Sequence, residues 1–419
     1  MHFFKILSKR HIAFLWVSQV LSAMGDYFYS IAVIWIAVKT VGSGAGIVAA
    51  AEAASTLVFG LLGGVFADRW DRRKVMVTVD IIRAGTVALL PILEYFGVLQ
   101  LWHLTVVAVV IGGLEALFDP ALQASLPALA GDTQTLQAMN GLMDVTSRLA
   151  RTLGPSLAGV LVAFMPLPQF FTLDAVSFVI SALAILSLGR RFIWKPAESS
   201  TPNKGVLAVP HEIAGAIGLL KAHRPLAWAI IANAINNILW SIAFVIGVPI
   251  LVDRVLVGNV GAYGLIIGAY GVGNVLSNFV IGSLPLRNRV SMVFSGLIVL
   301  GAGFLLLALA TTLPMALLGA AFAAIGGPMG DIIIATMIQT EFPANQIGKI
   351  YSLRMVTASV GGSLGLVLAV PLFAHFSVMY TIGACACAMI AMGIIGVMRY
   401  GLSAPQSAPD ATELPEVTP

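Results

Sequence analysis

The sequence predicts an all-α integral membrane protein of twelve spanning helices arranged as two bundles of six. Three observations carry that expectation. Of the 419 residues, 59% are hydrophobic and only 10% charged, and the mean hydropathy is +0.96, whereas soluble domains are about 45–50% apolar and about 25% charged. Apolar runs of about 20 residues or more, each long enough to cross roughly 30 Å of hydrocarbon as a helix, recur along nearly the whole chain. One long polar interruption divides six of these runs from six.

In order, the runs fall at 12–38, 44–67, 75–97, 101–124, 138–164 and 168–188, then at 225–252, 260–284, 290–310, 313–340, 346–373 and 376–398. Lys5, Lys9 and Arg10 lead straight into the first run, with no short apolar region and cleavage site before it, so the N-terminus is expected to be retained. The organisation expected is an N-terminal bundle over 1–189, a cytoplasmic linker over 190–224, a C-terminal bundle over 225–400 and a tail over 401–419. Within the linker, Ile213, Ile217 and Leu220 share one face, the pattern of an amphipathic helix lying on the membrane surface. The tail is Pro-rich and acidic, a composition expected to be disordered.

The formal charge of +4 is distributed so as to encode orientation rather than nucleic-acid binding. Lys5, Lys9, Arg10, Arg69, Arg72, Arg73, Lys74, Arg190, Arg191, Lys195, Lys204, Lys221, Arg224, Arg287, Arg289 and Arg399 fall on one side of the predicted membrane. Lys39 and Arg254 fall on the other. By the positive-inside rule both termini are expected in the cytoplasm.

Charges inside the runs are the functional candidates, because each costs at least about 2.5–3.5 kcal/mol at the bilayer centre. Asp26 lies near the middle of the first run, with Gln19, Ser22 and Tyr29 at helical spacing on the same side, a stripe expected to face a wet cavity. A carboxyl group there suits proton coupling; a permanently ionised residue that only hydrogen-bonds within the bundle is the other reading. Glu52 stands in the outer part of the second run beside Ser55 and Thr56, a position suited to substrate or proton entry. Glu115, one turn before Asp119 in the fourth run, can serve either a cavity or a cytoplasmic contact. Asp331 is the clear intramembrane acid of the second half. Asp80 and Arg83, three apart in the third run, are expected to neutralise each other locally as a structural pair.

Asn233, Asn236, Asn237 and Trp240 in the seventh run, and Tyr263, Tyr270, Asn274 and Asn278 in the eighth, form stripes at helical spacing. Such stripes suit a cavity that stacks on and hydrogen-bonds a large, partly polar molecule. Interfacial anchoring by aromatics and helix-to-helix bonding by amides are the competing readings. His103 and His375 sit near outer helix ends and read as interfacial. Cys385 and Cys387, two apart on one helix, point to nearly opposite faces and form neither a chelate nor a disulfide.

Between the second and third runs, "DRWDRRK" packs six ionisable residues into Asp68–Lys74. With Gly64, Asp68, Arg69, Arg72 and Arg73 it resembles the loop signature G-x-x-x-D-R-x-G-R-R/K of the major facilitator superfamily, with Asp71 where a second glycine is usual. The stretches "GDYFYSIAVIWIAV", "FDPALQASLPALAGDTQTLQAMNGL", "RTLGPSLAGVLV", "LDAVSFVISAL" and "GGPMGDIIIATMIQTEFPANQIGKIYSL" are similar to the efflux group of the enterobactin exporter and the macrolide efflux proteins. The resemblance covers roughly residues 10–398 and implies the major facilitator fold. It also implies export of a small organic molecule, siderophore or drug, by proton antiport across a bacterial inner membrane. Arg151 matches an arginine common before the glycine-proline pair of that group, and Arg151, Gly154, Pro155 and Gly159 together resemble a motif associated with exchange direction. Asp174 stands where asparagine is expected. "GSLPLRNRV" in the second half keeps Arg287 and Arg289 but lacks the acid.

Within the charged loop, Asp68 lies one helical turn before Arg72, and the expected partner of Arg72 is Asp119 across the helix interface. Together with Gly64, Arg69 and Arg73 they read as a cytoplasmic latch that closes in one state and parts in the other; fixing topology alone is the plainer reading of Arg73 and Lys74. There is no G-x-x-x-x-G-K-S/T, so an ion gradient, with no cofactor or metal, is the expected energy source. H-E-x-x-H and G-x-S-x-G are absent and Gly25-Asp26 lacks the further glycine of an intramembrane protease, so no enzyme is expected. Import by proton symport uses the same parts and is the alternative; a non-transporting sensor is more distant. The expected partners are lipid, protons and one small organic substrate, with no nucleic acid, for a chain that acts as a monomer.

Overall fold

The structure, a computed structural model, describes residues 10–67, 71–130, 164–188, 218–220, 223–283, 288–342 and 344–401, together with 135, 139, 142, 143, 146, 149, 150, 153, 154, 157, 158 and 161. Every regular element among them is helical. The first bundle contains α1 (Arg10–Val41), α2 (Ala45–Ala67), α3 (Arg72–Tyr95) and α4 (Leu101–Ala130). The described positions between 135 and 161 make up α5, and α6 is Pro168–Ser187. In the second, α7 (Arg224–Trp240) runs through a π-helical stretch, Ser241–Ile246, into α8 (Gly247–Arg254). Then follow α9 (Val260–Ser283), α10 (Arg289–Ala308), α11 (Leu313–Glu341), α12 (Ala344–His375) and α13 (Val378–Gly396).

Ten stretches among the described residues are long and apolar enough to cross a membrane. The first, Ile12–Gly60, is 49 residues long and contains the tight turn Gly42–Gly44 between α1 and α2, so it makes two crossings. The expected fifth span falls on the partly described positions. The expected linker helix lies outside the described residues except at 218–220, which are helical, and the tail lies outside them altogether.

Helix is what lipid demands of such runs, since only intrahelical bonding satisfies every backbone N–H and C=O away from water. The ends are set locally. Asp71 caps α3, its carboxylate accepting from the N–H groups of Arg73 at 3.0 Å and Lys74 at 3.3 Å. Asn288 and Ser377 cap α10 and α13 in the same way. Gly42 turns the chain with φ +59°, a left-handed conformation that glycine adopts without penalty. The π-helical stretch was not foreseen; it breaks the regular register where α7 meets α12.

Polarity is inverted relative to a soluble protein. On α3, Ile81 and Ile82 are exposed at 57% and 44%, whereas Asp80 and Arg83 are buried at 0% and 3%. Small residues let helices meet closely. A Cβ at Gly303 of α10 would run into the backbone of Ala323 in α11, and one at Gly25 of α1 would lie 2.5 Å from Asp174 Oδ1 and 2.7 Å from Ser177 Oγ of α6. Gly303→Val is expected to destabilise the second bundle by about 1–3 kcal/mol, as overpacking does, read as an earlier thermal transition of the detergent-purified protein.

The core shows how the halves meet. One continuous apolar cluster joins residues of both bundles, from Ile31, Val33 and Val38 of α1 to Ile250 and Leu251 of α8, Tyr263 of α9 and Phe373 of α12. At the opposite end the cores are separate. One is built around Ile12, Leu15, Phe118 and Leu126 of the first bundle, the other around Leu226, Ile333, Ile338 and Leu353 of the second. Among the described residues the bundles thus share a core at the sealed end carrying the Gly42–Gly44 turn and have separate cores at the end from which α1 begins.

Candidate functional site

The buried charge of the first bundle centres on Arg83 of α3. Its Nη2 donates to Asp26 Oδ1 of α1 at 2.9 Å, and its guanidinium lies 4.1 Å from the centre of the Phe178 ring of α6. The arginine side chain is 4% exposed, while Asp26 keeps 35%, so the pair has one dry and one wet member. This corrects the expectation for α3: Arg83 neutralises the acid of another helix rather than Asp80. The reason is direction, because three residues apart on one helix is within reach, yet Arg83 extends across the interface toward α1.

Around this pair lie Glu52 of α2, Asp80 of α3, Glu115 of α4 and Asp174 of α6, all within electrostatic reach of Arg83. α2 and α4 approach closely here, since a Cβ at Gly112 would meet Glu52 O at 2.6 Å and Thr56 Oγ1 at 2.7 Å, and Ser55 Oγ donates to Val109 O at 2.6 Å. Asp119 of α4 is exposed. Among the described residues, ion pairs join Asp26 to Arg83, Asp331 to Arg354 and Lys39 to Asp253.

The Gln19–Tyr29 stripe does not face an open cavity. Gln19 is buried, with its Nε2 donating to Ser181 Oγ of α6 at 3.0 Å, and Tyr29 is 1% exposed with its ring edge-on to Phe171 at 6.0 Å. The stripe is polar because it packs on the equally polar Asp174–Ser181 face of α6; helical spacing alone does not say which neighbour a face meets. Asp26 is the member that stays partly exposed, at 35% of its side chain.

In the second bundle Asp331 of α11 pairs with Arg354 of α12 at 2.5 Å. Here too the arginine is dry, at 9%, and the acid exposed, at 65%. A carboxylate this exposed within a membrane span faces water rather than lipid. A Cβ at Gly327, one turn before it, would lie 3.6 Å from Asn274 Nδ2 and 3.8 Å from Tyr270 Oη. Trp240 Nε1 donates to Tyr270 Oη at 3.2 Å, and Phe244 closes an aromatic cluster, 5.3 Å from Trp240 and 4.3 Å from Tyr270. Asn237 Nδ2 donates to Asn233 O at 2.8 Å, which ties that amide to its own helix. Tyr263 is no cavity residue: it stacks on Trp35 of α1 at 5.7 Å and 18°, in the seal between bundles.

Sequence reasoning missed the role of Arg83 and passed over Arg354. The sequence signalled only that an arginine inside an apolar run needs an acid, not which of the several acids it meets.

Of the loop signature, Gly64 belongs to α2, and Asp68 and Arg69 lie outside the described residues, as do Arg151, Pro155 and Gly159. Gly154 packs on the Tyr27 side chain, where a Cβ would lie 2.8 Å from Tyr27 Cβ. Arg73 reaches from α3 to the end of α6, donating to Leu186 O at 2.6 Å and Ile185 O at 3.4 Å. Asp71, in place of the usual glycine, has φ −62° and ψ 107°, so no left-handed backbone is needed and the residue acts as a cap. Asp71→Ala is expected to cost about 1 kcal/mol and Asp71→Asn much less, measured as the shift of the thermal transition.

Two groups of helices that share one apolar core at one end, with charges buried inside each group, have the architecture of a multi-pass membrane transporter. A family model described as transmembrane secretion effector matches residues 3–414, and the chain belongs to that family, within the major facilitator superfamily. It is 27% identical over 374 residues to the multidrug efflux pump Tap of Mycolicibacterium fortuitum, covering 87% of this chain and 89% of the relative. The uncharacterized MFS-type transporter YfiS of Bacillus subtilis is 25% identical over 402 residues, 91% of each chain, and macrolide efflux protein A of Streptococcus pyogenes is 24% identical over 192 residues, 45% of this chain and 47% of the relative. Among solved structures, the POT family transporter PepTSo aligns with a TM-score of 0.69 at 13% identity, covering 94% of this chain and 99% of that one. A bacterial homologue of the lysosomal transporter Spinster, inward-facing and occupied, aligns at 0.68 and 12% identity, covering 93% and 95%. At such identity these neighbours speak for the fold.

Proposed function

We propose that this transporter exports a small, partly polar organic molecule, a drug or a siderophore, from a bacterial cytoplasm in exchange for protons, by alternating access. The observation that carries the reading is the Asp26–Arg83 pair, whose arginine is dry and whose acid is partly exposed. Protonation of Asp26 breaks a charge-assisted bond that holds α1 to α3, so proton binding and helix rearrangement are linked. The similarity to pumps named for multidrug and macrolide efflux supports export. The basic loops support a cytoplasmic position for both termini at the inner membrane, an orientation in which the sealed end faces outward. The aromatic cluster of Trp240, Phe244 and Tyr270, beside Asn274 and Asp331, supplies stacking faces and polar groups for the substrate. Glu52 and Glu115 are further proton-coupling candidates, and a latch involving Asp68, Arg72 and Asp119 belongs to the outward-open state.

Direction and coupling are tested together with ethidium and erythromycin as probes. Energised inverted vesicles carrying the protein are expected to accumulate either probe and to lose it when the proton gradient is dissipated. Accumulation by energised right-side-out vesicles would make the protein an importer. Tyr270→Ala is expected to lower probe affinity by about tenfold, equivalent to about 1.4 kcal/mol, as read by equilibrium binding to the purified protein.

A further inference from the structure

Asp80 of α3 is the most anomalous side chain in the first bundle. The residue is 0% exposed, and both carboxylate oxygens are buried without a hydrogen-bond partner. The hydroxyl of Ser181 accepts from Gln19 and keeps its own O–H toward Asp80, with which it interacts, although the geometry closes no hydrogen bond between them. Arg83 stands one turn along the same helix, yet its Nη2 is committed to Asp26 and its Nε is buried without an acceptor. A single arginine is therefore placed between two aspartates and bonded to one of them. An ionised carboxylate left dry and unpaired is strongly disfavoured, whereas a protonated one is tolerated.

We propose that Asp80 is a second proton-binding site and that Arg83 exchanges between Asp26 and Asp80 during transport. In the state seen here Asp26 is the carboxylate bonded to Arg83, and Asp80 holds the proton. When Asp26 takes a proton from water, its bond to Arg83 is lost and the guanidinium turns to Asp80. Asp80 then releases its proton to water admitted from the other side and becomes the bonded carboxylate. The two end states each contain one carboxylic acid, one carboxylate and one guanidinium, so the dry interior carries the same charge before one proton enters and after another has left. Among the described residues, the other titratable groups that face this exchange are Glu52 of α2, Glu115 and Asp119 of α4 and Asp174 of α6. None of them lies on the same helix face one turn from Arg83 as Asp80 does.

This inference rests on the proton-antiport reading above, and its test separates the two. Infrared difference spectra between the purified wild type and Asp80→Asn are expected to show a protonated carboxyl at Asp80. The difference between Asp26→Asn and the double variant Asp26→Asn/Asp80→Asn is expected to show a carboxylate instead, because the freed Arg83 ionises Asp80. An ionised Asp80 in the wild type, or the same protonation state in both backgrounds, would overturn the exchange.

Should the Asp80→Asn proteins fail to fold, dicyclohexylcarbodiimide, which modifies protonated carboxyls in apolar surroundings, is applied to wild type and Asp26→Asn. The peptide carrying Asp80 should be labelled in the first and protected in the second; equal or reversed labelling defeats the proposal. Proteoliposomes of the wild type are loaded with ethidium and followed for internal pH. If no protons move with ethidium, the antiport reading fails whatever the spectra show; if they move and the spectra do not differ, only the exchange fails.

Discussion

Asp26→Asn is expected to abolish gradient-driven ethidium efflux, lowering it by at least about 100-fold, equivalent to about 2.7 kcal/mol in the driven step. Asparagine has nearly the same shape but carries no exchangeable proton, and its neutral amide is a poor substitute for the carboxylate bonded to Arg83. Breaking a dry ion pair by removing one partner costs about 3–5 kcal/mol because the other charge is stranded. The charge stranded here is the guanidinium, which is only 4% exposed, so water offsets little of that cost. Phe178, 4.1 Å from the guanidinium, keeps a cation–π contact worth about 0.5–2 kcal/mol. Arg83→Ala, which strands the acid instead, should also stop transport. The double variant Asp26→Asn/Arg83→Gln removes both charges and is expected to regain thermal stability without regaining transport. Recovery of efflux in that double variant would show that the pair is only structural.

The second large effect concerns the sealed end. There Trp35 of α1 stacks on Tyr263 of α9, Lys39 bonds Asp253 across the bundles, and the Arg254 guanidinium lies where a Cβ at Gly42 would be, 2.6 Å away. Gly46 of α2 meets the backbone of Leu366 in α12, its Cβ position 2.5 Å from the carbonyl oxygen. The Lys39–Asp253 pair has side chains 50% and 22% exposed, and exposed pairs contribute only about 0.2–1 kcal/mol. The aromatic stack adds about 0.5–1.5 kcal/mol beyond its buried area, so it dominates. Trp35→Ala is therefore expected to shift the population toward an outward-open state by about 10-fold or more, and Lys39→Ala by a few-fold at most. Spin labels at the exposed positions Val41 and Val257, in a background with Cys385 and Cys387 replaced, would report the separation of the outer ends. An unchanged distance distribution in Trp35→Ala would show that the stack does not hold the seal.

Both predictions depend on which helix meets which, and the legibility of this protein in its sequence divides along that line. The spans were legible because lipid imposes a one-dimensional rule: a run long and apolar enough crosses as a helix. The expected runs at 168–188 and 313–340 correspond to Pro168–Ser187 and Leu313–Glu341. The run expected at 101–124 continues to Ala130, because hydropathy marks where lipid ends and not where helical hydrogen bonding ends. The acids were legible as functional candidates because each is costly in oil. Their partners were not. Nothing in the spacing of Asp80 and Arg83 says that the arginine turns to α1, and nothing in the Gln19–Tyr29 stripe says that it packs on α6. Asp71 shows the same division, since a loop resemblance marked it as a departure, while its dihedral angles and the two N–H groups it accepts make it the cap of α3.

Composition and periodicity therefore determined the solvent this chain lives in, the number of its crossings and the handful of charges it retains in them, because those follow from transfer free energies along a single strand of residues. The tertiary structure alone decided that Arg83 and Arg354 are the partners of Asp26 and Asp331, that the bundles share a core at the sealed end and have separate cores at the other, and that Asp80 is left dry beside a committed arginine. Those outcomes depend on how helices far apart in sequence rotate and pack against one another, and helical spacing carries no record of the neighbour a face will meet.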